Sequence, residues 1–136
     1  MIHYPELKHI LALHDALIER YGGTKGIRDK GLLESAISQP MQAVFGEEIF
    51  PDIPSKAAAY AYYISENQPF LDGNKRTATA SALTFLRLNG FDLKLKKNER
   101  EKIVYDTIMK VANKELSREQ LTEWFRKNTR RKRRQS

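Results

Sequence analysis

Two alanine-rich stretches, residues 56–66 and about 75–88, constrain this chain more than any other feature. In the first, Ala57, Ala58, Ala59, Ala61 and Ile64 leave small or apolar side chains on nearly every side, and a helix without a wet face belongs at the centre of a fold. The second carries Ala78, Ala80, Ala82, Leu83, Phe85 and Leu86 at helical spacing. Helices of this kind pack closely. Whatever joins them is therefore a short loop held at one end of a central pair, and the joining residues 68–76 read Gln-Pro-Phe-Leu-Asp-Gly-Asn-Lys-Arg.

That loop has the chemistry of an anion-binding turn. Gly73 and Asn74 permit a sharp backbone path on which successive amides converge, and Lys75 and Arg76 add positive charge. The helix that follows presents free N-terminal amides and the positive end of its dipole. A plainer reading is also open, in which Asp72 or Asn74 caps those amides and the two cations are simply solvated. Pro69 stiffens the approach, and Phe70 is expected to pack the loop onto the core.

The other segments predict a mainly helical, all-α domain with at most a short β hairpin or strand. Pro5 opens a first helix whose Leu7, Ile10, Leu11, His14, Leu17, Ile18 and Tyr21 recur on one side until Gly22 and Gly23 stop it. Asp29 caps a second, shorter helix that Pro40 closes, and residues 41–54 read as a helical turn followed by an irregular or hairpin-like loop. Ser55 is the expected cap of the first alanine-rich helix. Phe91, Leu93 and Leu95 alternate as in a half-buried strand. Asn98 with Glu101, and Ser117 with Gln120, have capping-box spacing ahead of two last helices.

Composition bounds the rest. At 136 residues with 40% hydrophobic content the chain fits one domain able to bury a core. It has no cysteine, which excludes disulfides and thiolate chemistry. No apolar run approaches the roughly 20 residues of a membrane span, and residues 1–5 do not open a signal peptide, so a cytoplasmic protein without membrane association is expected. The net charge of +7 is concentrated at the end of the chain. Seven of the 24 basic residues are Arg126, Lys127, Arg130, Arg131, Lys132, Arg133 and Arg134, and the remaining 17 balance 17 acids. The expectation is a domain over residues 1–125 and a disordered basic tail over 126–136, attracting nucleic acid only nonspecifically. There is no Walker-type loop, dinucleotide fingerprint or paired-histidine metal motif.

The combination of Pro69, Phe70, Asp72, Gly73, Asn74, Lys75 and Arg76 closely resembles the signature of the Fic/Doc (death-on-curing) family. Residues 21–23, 26–29, 32–36 with Pro40, and 85–90 are similar to Doc-type sequence in the same order, so the resemblance covers roughly residues 1–112. It implies a compact helical bundle with the signature loop between two central helices. It also implies that Asp72 holds Mg²⁺ against the phosphates of ATP, that Gly73 and Asn74 cradle a phosphate, and that Arg76 clamps it. Lys75 matches the Doc branch, where the nucleotidyl-transferring branch has glycine. The implied activity is phosphoryl transfer from ATP to a protein hydroxyl, in the family a threonine of elongation factor Tu, with arrest of translation. The implied partner is an antitoxin whose flexible segment covers the groove, and Glu47 and Glu48 fall where family members carry a flap that docks the target.

One position departs from the pattern. Where the family carries its catalytic histidine, this chain has Gln68. A general base must change protonation near neutral pH, and an amide cannot. His14 lies on the apolar face of the first helix and is expected to be packed and hydrogen-bonded, with His3 and His9 exposed. Tyr60, Tyr62 and Tyr63 are expected to be core and rim packing rather than a base-stacking platform. Impaired phosphoryl transfer is the leading reading, beside adenylyl transfer and a silent module that binds nucleotide or antitoxin.

Overall fold

The computed structural model describes residues 1–132. Six helices and two small antiparallel strand pairs follow in the order α1 (Leu7–Tyr21), α2 (Lys30–Ser38), a single 3-10 turn (Gln39–Met41), β1 (Ala43–Val44), β2 (Glu47–Glu48), α3 (Ile53–Asn67), α4 (Asn74–Leu88), β3 (Phe91–Leu93), α5 (Arg100–Ala112), α6 (Arg118–Asn128) and β4 (Thr129–Arg131). No helix among the described residues is long and apolar enough to cross a membrane.

The alanine-rich pair is the axis of the molecule. Helix α3 packs most extensively on α4 and is also covered by α2, α5 and α6, while α1 lies on the other side of α4. Ala57, Ala58, Ala61 and Ile64 of α3 meet Ala78, Ala82, Phe85 and Leu86 of α4 in one buried cluster. Leu33, Val104, Ile108, Leu121 and Phe125 close it from the surrounding helices. Tyr60 is fully buried and Tyr62 and Tyr63 are half-buried, as the packing reading expects.

Two caps differ from expectation. Helix α3 starts earlier, with Asp52 rather than Ser55 as its cap. Pro54 sits in the first turn, where its missing amide proton costs nothing. The Asp52 carboxylate accepts from the Ser55 amide at 2.8 Å while the Ser55 hydroxyl reaches back to the Asp52 amide at 3.1 Å, so Ser55 is the third residue of a capping box. Asn98 does not cap α5. The Glu99 amide bonds back to the Lys96 carbonyl in a turn, so the helix begins at Arg100 with no side-chain cap. Asp29 and Ser117 cap α2 and α6 as expected.

The expected boundary at residue 125 also moves. Arg126 and Lys127 belong to α6, which runs to Asn128, and Thr129–Arg131 pairs with Phe91–Leu93. Sequence reasoning saw a run of like charge, but of the acids that pair with it Asp52 and Asp92 are remote in the chain and only Glu123 is close. Arg126 binds Asp52 at 3.1 Å and Glu123 at 2.8 Å, and Arg130 binds Asp92 at 3.1 Å. Arg133 and Arg134 lie outside the described residues.

Candidate functional site

The loop joining α3 to α4 is stitched to the segment after α1. The carbonyls of Asn67 and Gln68 accept from the Arg28 guanidinium at 2.9 and 2.7 Å. The Pro69 carbonyl accepts the amides of Arg28 and Asp29, and the Leu71 amide donates to the Gly26 carbonyl. Phe70 is buried and its ring stacks on His14 at 3.8 Å between centroids, while His14 Nε2 lies 2.8 Å from the Asp72 carbonyl oxygen. His14 is thus committed to holding the loop, and His3 and His9 are exposed.

Asn74 folds back on this loop. Its side-chain oxygen accepts from the Phe70 amide at 2.9 Å and its amide group donates to the Phe70 carbonyl at 3.0 Å. Both ends of the side chain are therefore occupied, and what remains at Asn74 for a phosphate is its backbone amide. The plain capping reading does not hold either. The cap of α4 is Gly73, at φ 78°, and among the described residues no side chain accepts from the first-turn amides of the helix. A side chain at Gly73 would be strained by that φ and would press its Cβ to 3.1 Å from the Ile18 side chain.

Asp72 is exposed, and one carboxylate oxygen accepts from the Thr24 amide at 2.8 Å. Close approach of the residue 22–24 turn depends on Gly23, at φ 118°, where an added Cβ would stand 3.2 Å from that of Asp72. No group of three or more His, Cys, Asp or Glu side chains poised for a metal occurs among the described residues. A lone carboxylate beside an uncapped helix start is nevertheless compatible with Mg²⁺, which keeps several waters and takes one or two carboxylates plus phosphate oxygens of a bound substrate.

Gln68, Asp72, Gly73, Asn74, Lys75 and Arg76, all six residues singled out from the sequence, line one cavity of about 420 Å³. A second cavity of about 390 Å³ adjoins it between α1, α4 and α5, sharing Leu17, Tyr21, Arg76 and Tyr105 and extending to Thr79, Asn98 and Glu101. Arg76 stands at the junction, its guanidinium carbon 3.8 Å from the Tyr21 ring centre and 4.9 Å from that of Tyr105. Sequence reasoning missed Tyr105, and read Tyr21 as part of the first helix's core face and of the Doc-type stretch 21–23 without assigning it to the site. Tyr105 sits on an amphipathic helix 29 residues beyond Arg76, where nothing local marks it as a wall of the site.

Comparison with known proteins finds relatives for the larger part of the chain. A sequence model of the Fic/DOC family matches residues 4–86. The chain is 44% identical over 73 residues to a protein named Toxin Doc from Mycolicibacterium smegmatis, covering 54% of this chain and 56% of that one. It is 45% identical over 83 residues to a protein named Protein kinase doc from Escherichia phage P1, covering 61% and 65%. The similarity thus spans less than two thirds of either relative, and the residues matched by the family model include the whole of the turn.

Proposed function

The chain belongs to the Fic/DOC family, and on that premise we propose that it is a Doc-type toxin, built to move the terminal phosphoryl group of ATP onto a protein hydroxyl and impaired in doing so by Gln68. The observation that carries this reading is the uncapped first turn of α4, which opens into the same cavity as Lys75, Arg76 and Asp72. The names of the two relatives support it: one is called a toxin and the other a protein kinase.

Each residue has a distinct task. The amides around Gly73 and Asn74 bind phosphate oxygens, and the Arg76 guanidinium adds a planar fork of donors. Lys75 adds a point charge at the cavity wall. Asp72 would hold Mg²⁺, which when bound neutralises phosphate charge. In the transfer itself a hydroxyl oxygen of the target bonds to the terminal phosphorus, the bond from that phosphorus to the bridging oxygen breaks, and ADP leaves. The hydroxyl proton must go elsewhere. Gln68 can accept a hydrogen bond from that hydroxyl and orient it, but cannot take the proton, which passes to water instead.

The family's target, a threonine of elongation factor Tu, and its setting, the bacterial cytoplasm with translation blocked and an antitoxin segment laid over the groove, extend to this chain within the same proposal. Gln68 itself favours a second reading, a module that binds nucleotide or antitoxin without transfer. Intact-mass analysis of the target after incubation with ATP and magnesium separates these. Gln68→His is expected to raise the rate by about 10² to 10⁴, the usual contribution of a general base. The target should gain one phosphate; a gain of one nucleotide would point to adenylyl transfer. Equal rates for parent and Gln68→His would remove the assigned role of position 68. Absence of calorimetric heat with ATP and magnesium would remove the nucleotide site.

A further inference from the structure

Arg76 is held in an unusual way. Two aromatic rings from helices α1 and α5 approach its guanidinium, Tyr21 at 3.8 Å and Tyr105 at 4.9 Å from ring centre to guanidinium carbon. Among the described residues it makes no ion pair and no side-chain hydrogen bond, although Glu101 and Asp106 line the cavity it borders. Asp106 is instead bound to Lys102 at 2.8 Å.

We propose that Tyr105, together with Tyr21, is a positioning residue that presets Arg76 for an incoming phosphate while leaving its charge and donors unused. The inference rests on the phosphate-binding reading of the turn. The chemistry of the two kinds of partner explains the choice. A carboxylate would fix a guanidinium by occupying its in-plane N–H groups and cancelling its charge. An aromatic face attracts the cation through its quadrupole and leaves the N–H groups directed outward. A side chain fixed before the ligand arrives also loses less conformational freedom on binding. Arg76 therefore meets the ligand in place, at the junction of the two cavities, with its fork available.

Tyr105 is the residue to test, because Tyr21 also faces Arg20, whose guanidinium carbon lies 5.1 Å from its ring centre. Tyr105→Phe keeps the ring and is expected to bind ATP with magnesium as the parent does. Tyr105→Leu is expected to weaken binding about two- to twelve-fold, the cost of ordering one long side chain on binding. In the Arg76→Ala background the same exchange should change nothing further, since Tyr105 acts through Arg76. Tyr105→Met, similar in bulk, replaces Tyr105→Leu if the latter does not fold. Nuclear magnetic resonance supplies a readout that needs no nucleotide: the Arg76 side-chain protons should be shifted by the rings in the parent and in Tyr105→Phe, and lose part of that shift in Tyr105→Leu.

If the parent binds nucleotide and Tyr105→Leu binds it equally well, the positioning role is overturned. If the parent does not bind nucleotide, the nucleotide reading falls, and the resonance measurement still decides whether Tyr105 holds Arg76: unchanged Arg76 shifts in Tyr105→Leu overturn it.

Discussion

At the scale of single residues, the chain's local spacing told which side chains gather and not what each one does there. Gly73 was legible because only a glycine sits easily at φ 78° beside Ile18. Asn74 was legible as a turn residue, but its amide could equally face a ligand or the loop, and the structure shows it bonded to Phe70 at both ends. Tyr60 illustrates what a sequence conceals altogether. Its hydroxyl is buried with no hydrogen-bond partner among the described residues, and burial, with Tyr4 nearby, pushes its pKa upward. A buried polar group without a partner costs free energy on folding. Tyr60→Phe keeps the ring, which lies 5.2 Å from that of Phe85, and removes the unmet group. The expected result is a gain of about 1 kcal/mol in unfolding free energy, read as a higher denaturant midpoint with an unchanged slope.

At the scale of elements, helix existence followed from periodicity and helix starts did not, because a cap is decided by bonds between residues three apart that compete with one another. Asp52 and Ser55 both suit the role, and the reciprocal pair they form assigns the cap to Asp52. Partial burial alone would raise the Asp52 carboxyl, but the Ser55 amide and hydroxyl and the Arg126 charge outweigh it and hold it below the ordinary carboxylate range. A carboxylate depressed in the folded state adds stability above its unfolded value near ~4, and that contribution disappears as the pH falls through the lower folded value. Asp52→Asn preserves the cap geometry and removes the charge. It is expected to be less stable than the parent at pH 7 by under about 1 kcal/mol, since the pair with Arg126 is open to solvent. The two proteins should converge by about pH 2, in chemical unfolding at both pH values. Lys56 is another element-level device hidden from the sequence. Its fully buried ammonium donates to the Pro40 carbonyl and to Glu48, each at 2.9 Å, and so fastens the β1–β2 hairpin to the core.

At the scale of the whole molecule, the matched family region ends at residue 86, yet the fold and the site do not. Val104, Ile108, Leu121 and Phe125 complete the core, and Tyr105 completes the cavity. The mainly helical class was readable from apolar residues recurring at helical spacing, whereas the end of the domain was not, because strand β4 is defined by its partner β3 some 38 residues earlier. Ending the chain after residue 125 would remove the last turn of α6, β4 and the Arg126–Asp52 pair. The truncated protein is expected to melt several degrees lower in calorimetry, on the order of 4 °C for each kcal/mol lost. The bonds that shape position 68 come from its backbone: Arg28 grips the carbonyl, and the residue rests at φ 46°, a left-handed setting in which histidine is also at home. The mould is therefore indifferent to the reagent set in it, and under the proposed function a single codon would disarm or rearm such a protein without asking the rest of the chain to refold.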